Sequence, residues 1–87
     1  MEIVDFSGKT FREIPEQDNP AYQATEKCLM IVKQLQQELP YVNAGKLVVL
    51  LIEPVPDPYE QESVTQLGLF WELEDAMLFA KAYSEVN

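Results

Sequence analysis

The sequence predicts an α+β two-layer sandwich of β-β-α-β-β-α order, with two helices packed on an antiparallel sheet of three to four strands. Three observations carry this reading. Leu47–Ile52 is an unbroken apolar run bounded by turn signals, the pattern of a strand covered on both faces and central in its sheet. Behind Asn19-Pro20, apolar residues recur at spacings of three and four: Ala21, Ala24, Cys28, Ile31, Val32, Leu35 and Leu39. At about 100° per residue they form one helical face. The end of the chain repeats that period, with Ala76, Phe79, Ala80 and Tyr83 on one side.

Taken in order, Glu2–Phe6 and Thr10–Ile14 are short, aromatic and β-branched, with Ser7-Gly8-Lys9 between them, which reads as a hairpin. If they are instead one strand and a loop, the order becomes β-α-β-β-α. Pro15 ends the second strand, and Glu16–Asn19 is a polar connection. Asn19 and Pro20 are an amide N-cap and a first-turn proline, so the first helix is predicted over Pro20–Leu39, stopped by Pro40. Tyr41–Lys46 is a turn. After Leu47–Ile52, the alternating Pro54, Pro56 and Pro58 stiffen a long loop. Val64–Trp71 is the next strand, with Leu67, Leu69 and Trp71 on one face and Gly68 marking a bulge or a close approach. The last helix runs from Glu72 or Leu73 to Val86. No repeat, low-complexity tract or boundary interrupts the chain, which reads as a single α+β domain over residues 1–87.

The residue types narrow the chemistry. Among 87 residues there is no histidine and only one cysteine, which removes His-activated nucleophiles, His–zinc sites, CxxC redox chemistry and any internal disulfide. The lone Cys28 and the absence of a basic, apolar leader or a long apolar span point to a cytoplasmic protein. No carboxylate loop of calcium-binding spacing is present, and no cofactor or metal is expected. Gly8-Lys9-Thr10 matches the end of a phosphate-binding loop. Ile3 stands where that loop's first glycine belongs, however, and Pro15 interrupts the helix that should follow. Cys28 shares a helical phase with Ala21 and Leu35 and is read as an inert core thiol. The absences favour a protein that is not an enzyme.

Charge supplies the positive evidence. The net charge is −9, and from Leu47 to Ala80 there is no Lys or Arg but seven acids: Glu53, Asp57, Glu60, Glu62, Glu72, Glu74 and Asp75. Such a surface repels nucleic acid and anionic membranes and attracts basic proteins. Glu72, Glu74 and Asp75 also offset the helix dipole, a structural role that needs no ligand. The loop Glu53–Ser63 is longer than a hairpin requires and joins Asp57, Tyr59, Glu60 and Glu62 to a proline-restricted backbone, which makes it the first candidate binding site. If its flanking strands pair, it lies about 25 Å from Glu72–Asp75, at ~3.3 Å per residue, so the acids form two poles. A second candidate is an outer helical surface of Tyr22, Leu29, Met30 and Leu78, with Ala82, placed off both core faces.

The functional expectation is therefore a small acidic interaction module. It would act as an inhibitor or competitor, of the kind found in phages and mobile elements, on a basic protein that handles nucleic acid. It would touch neither nucleic acid nor membrane itself, and a homodimer through the outer helices is a related expectation. One rival reading is a dimeric α+β barrel enzyme or ligand binder, with Tyr22, Trp71, Phe79 and Tyr83 lining its pocket. Another is a structural subunit of a larger assembly.

Overall fold

The structure is a computed structural model that describes residues 1–18, 26–35, 45–55 and 63–86. The described residues include four strands: β1 (Glu2–Thr10), β2 (Cys28–Lys33), β3 (Leu47–Glu53) and β4 (Ser63–Phe70). They form one mixed sheet in the order β1-β2-β3-β4, and helix α1 (Leu73–Val86) closes the chain. The class is α+β, as expected. The sheet is not wholly antiparallel: β1 runs parallel to β2, while β2–β3 and β3–β4 are antiparallel.

β3 fulfils its sequence pattern. Leu47–Ile52 is buried along its whole length, between β2 on one side and β4 on the other. β2 corrects the sequence reading. Where Pro20–Leu39 was expected to be helical, Cys28–Lys33 is a strand, and its first five residues are buried on both faces. The remainder of the expected helix lies largely outside the described residues. The physical reason is that Cys28-Leu29-Met30-Ile31-Val32 is a continuous apolar run between Lys27 and Lys33, the same signature as β3. Its register with β3, from Cys28↔Ile52 to Lys33↔Leu47, sets two doubly covered strands side by side.

β1 replaces the expected hairpin with a single strand. Glu2–Phe6 pairs with Cys28–Val32, and Thr10 then pairs with Lys33, so Ser7, Gly8 and Lys9 stand out of the ladder as an irregularity. The Ser7 N–H donates to Asp5 Oδ1 at 2.8 Å, a local bond that competes with ladder pairing. Thr10–Ile14, expected as a strand, turns into a 3₁₀ helix over Phe11–Glu13. Both the Thr10 N–H (2.7 Å) and its hydroxyl (2.9 Å) donate to Glu13 Oε2. These two bonds hold the Glu13 carboxyl below its ordinary pKa. A parallel β1–β2 pair requires a long crossover, and the described part of it places Phe11 and Ile14 against the sheet face opposite α1.

Both faces of the sheet carry a core. One joins Leu29, Ile31, Leu47, Val49 and Leu51 to Ala76 and Ala80 of α1. The other joins Cys28, Met30, Val32, Val48, Leu50 and Ile52 to Ile14, with Phe6, Phe11 and Leu69 packed on it. Cys28 is buried as expected, although on a strand. Burial, with the nearby charge of Glu2 as a lesser cause, pushes its thiol pKa up.

β4 contains the predicted bulge. Val49 faces Gly68 and Leu50 faces Gln66, which leaves Leu67 as the extra residue. The extra residue shifts the alternation, so Leu67 packs on the α1 side and Leu69 on the other. The expected single face of Leu67, Leu69 and Trp71 is thereby split. Gly68 is also a close approach: a Cβ there would lie 3.0 Å from Phe70 Cε2.

Candidate interaction surface

The corner between β4 and α1 is built outward from the core. Phe70, the last residue of β4, pairs with Leu47 and packs its ring on Phe79, with centroids 5.3 Å apart and tilted by 43°. Phe79 in turn stacks on Tyr83 at 6.3 Å. These three rings anchor the end of the strand to the inner side of α1. The chain then leaves the sheet, and Trp71 is 69% exposed. The Leu47↔Phe70 register brings the preceding Lys46 to the same end, and its Nζ lies 4.7 Å from the indole centroid. That is a cation–π contact on a ring that remains mostly open to solvent.

Helix α1 starts at once. The Ala76 N–H donates to the Glu72 carbonyl at 3.2 Å, and Glu74 and Asp75 lie exposed in the first turn beside a part-exposed Leu73. Their carboxylates are placed to favour the positive helix end. On the helix surface, Leu78 falls four residues after Glu74 and three after Asp75, so these side chains are neighbours. Leu78 is 62% exposed, on the side of α1 away from Ala76 and Ala80. Exposed apolar groups and carboxylates are thus interleaved across the corner and the first two turns of the helix.

The other pole begins at Glu53, which pairs with Ser63 at the far end of the β3–β4 ladder. Leu47↔Phe70 marks the opposite end, so Glu53 and the start of α1 lie at opposite ends of the β3–β4 ladder, while residues 56–62 of the proline-rich loop lie outside the described residues. Lys27 Nζ approaches Glu53 Oε2 at 3.6 Å. Both side chains are substantially exposed, so the pair adds about 0–1 kcal/mol at most.

Of the residues singled out from the sequence, Leu78 is exposed as expected. Leu29 and Met30 are fully buried in β2, Leu29 beneath α1 and Met30 on the opposite sheet face. They belong to no outer helical surface, because a strand covered on both sides has no outer phase. Tyr22, Asp57, Tyr59, Glu60 and Glu62 lie outside the described residues. For the pocket reading, Phe79 and Tyr83 are engaged in the core under α1, whereas Trp71 stands at the surface with Lys46. Sequence reasoning missed the Lys46–Trp71 pair. Its signal was an aromatic placed directly between the end of a strand and an acidic helix start. Among the described residues no group of three or more His, Cys, Asp or Glu is arranged to hold a metal ion.

Comparison of the chain with protein-family models, with curated proteins and with solved structures finds no match.

Proposed function

We propose that this chain is a non-enzymatic interaction module that binds a basic protein through the β4–α1 corner, competing with the nucleic acid that such a partner holds. One observation carries the reading. Trp71 is a largely exposed indole that already receives an ammonium group, and it is followed directly by Glu72, Glu74 and Asp75. An aromatic face amid carboxylates is chemically suited to Lys and Arg side chains, with Leu73 and Leu78 supplying apolar contact. The net charge of −9 supports electrostatic steering of a cationic partner and opposes approach to nucleic acid.

The test is capture of partners from a lysate by the wild-type chain, followed by binding kinetics on the purified partner at two salt concentrations. Trp71→Ala should weaken binding tenfold or more, mainly through faster dissociation. Replacing Glu72, Glu74 and Asp75 with their amides should slow association and flatten its salt dependence. Lys46→Met should strengthen binding, because it frees the indole and removes a competing cation. Captured proteins that are no more basic than the lysate as a whole, or affinities indifferent to all three changes, would refute the proposal.

A further inference from the structure

We infer that the outer edge of β4 is a docking edge for an extended segment of the basic partner, which joins the sheet as a fifth strand. This rests on the reading of the partner as basic and adds the form in which it is bound.

Among the described residues the sheet order leaves β1 and β4 at the edges. They are unequally protected. β1 carries Glu2, Asp5 and Lys9, and its ladder is broken at Ser7–Lys9, the usual ways of blunting an edge. β4 reads Ser-Val-Thr-Gln-Leu-Gly-Leu-Phe, with neither a charged residue nor a proline, and its bulge is its one irregularity. Among the described residues it pairs with β3 alone. Every second residue of such a strand points its N–H and C=O away from its partner, towards the open side.

Burial shows the same vacancy. β2 and β3, each flanked by strands on both sides, are buried nearly throughout. Every residue of β4 is exposed or half-buried, including Val64, Leu67, Leu69 and Phe70. Val64 and Leu69 point to one sheet face, Leu67 and Phe70 to the other. A strand laid beside β4 would cover apolar groups on both faces while satisfying the edge amides, which is the mode of β-strand addition.

Charge decides the occupant. The neutral strand has Glu53 opposite its first residue, Ser63, and Glu72, Glu74 and Asp75 follow its last. A second copy paired through β4 would bring two chains of net charge −9 together, with acids flanking both strands. A segment with a neutral, β-branched centre of roughly six to eight residues and Lys or Arg at both ends complements the edge instead.

The test uses the whole ¹⁵N-labelled chain and three synthetic peptides. The first has an alternating Thr/Val centre with Lys and Arg at both ends. The second is the same peptide N-methylated at every central amide, and the third carries Glu at both ends. The first should slow amide hydrogen exchange at alternate β4 residues by tenfold or more. N-methylation and acidic ends should each weaken binding at least tenfold, and Val64→Lys, at an exposed position, should do the same without loss of fold. Equal binding of the N-methylated peptide with β4 exchange unchanged would overturn strand addition while leaving a basic partner in place. No binding by either basic peptide would overturn both readings. Protection of β4 that rises with protein concentration alone would assign the edge to a second copy and overturn the inference.

Discussion

Gly68 and Phe70 should behave as one unit, and the sign of a single methyl group tests this. Both residues point to the α1 side of β4, two positions apart, and the bulge at Leu67 sets that phase. A Cβ at Gly68 would lie 3.0 Å from Phe70 Cε2 and 3.2 Å from Cζ, so the ring must retreat by a few tenths of an ångström. It cannot do so independently, because its position is coupled to Phe79, 5.3 Å away, and through that ring to Tyr83. Overpacking of this kind costs about 1–3 kcal/mol. Against it, Gly→Ala restricts the unfolded chain and contributes about 0.4–1 kcal/mol of stability. The net expectation for Gly68→Ala is destabilisation on the order of 1 kcal/mol, which for a domain of this size lowers Tm by roughly 4–8 °C. In a Phe70→Leu background the obstructing ring atoms are gone, and the same Gly68→Ala change should be neutral or stabilising. Urea denaturation of the four proteins of the double-mutant cycle measures the coupling, expected near 1 kcal/mol or above, on the order of contacting residues. A Gly68→Ala chain more stable than wild type, or a coupling below about 0.3 kcal/mol, would show that the ring does not occupy the space above Gly68.

Three further outcomes follow from burial and hydrogen bonding. Replacing Leu29 and Met30 together with Glu should unfold the chain, since each new carboxylate enters a fully buried site at a cost of several kcal/mol; retention of native circular dichroism would return both residues to the surface. Cys28 should react with a thiol reagent far more slowly in the native chain than in denaturant, because it is buried and its pKa is raised; equal rates would refute its placement in the sheet core. Glu13 has a depressed pKa in the fold, so its contribution is fully present above its unfolded pKa and is lost as pH falls through the lower folded value. Denaturation midpoints followed through the acid range should therefore fall more steeply for wild type than for Glu13→Gln, and parallel curves would remove the Thr10–Glu13 bonds from the stability of the fold.

Strand β3, helix α1 and the bulge beside Gly68 were legible because each rests on local signals. An apolar run bounded by turns, a 3.6-residue period and a glycine inside a strand act within a few residues of one another. The misreading of Cys28–Val32 has a specific cause. A continuous apolar run contains apolar pairs at every spacing, so intervals of three and four within it do not argue for a helix. The run's short length, the flanking Lys27 and Lys33 and the β-branched Ile31 and Val32 were the discriminating features. At Ser7–Lys9 the break in the ladder was readable, but a bulge and a hairpin turn use the same residues. The parallel β1–β2 pairing was not readable locally, because it is fixed by residues far apart in the chain. Thr10-Phe11-Arg12-Glu13 did carry the T-x-x-E signal of a capped turn. The same run governs the site: Leu29 and Met30 have an outer phase only on a helix, and on β2 both are fully buried. The bulge splits Leu67 from Leu69, and Trp71 parts from both because the chain leaves the sheet after Phe70.

The commitment of both sheet faces to core constrains where any recognition can occur. β2 and β3 offer no accessible side chain over most of their length, and the inner side of α1 is closed by Ala76 and Ala80. What remains on the described structure is the outer side of α1, the ends of the strands and the two sheet edges. The acids follow the same division, because a doubly buried strand excludes charge and pushes it to the termini of β3 and β4. At each of those ends a lysine is already engaged, Lys27 with Glu53 and Lys46 with Trp71. The two engagements differ in consequence. An ion pair between exposed partners partly cancels the field that an incoming cation would feel. The lysine over the indole leaves most of the ring exposed, and among the described residues no ion pair joins it to Glu72, Glu74 or Asp75. On the proposed reading, the corner of β4 and α1 would attract a basic partner by its charge and hold it by its aromatic surface, beside an edge strand that, among the described residues, carries no charge to turn a strand away.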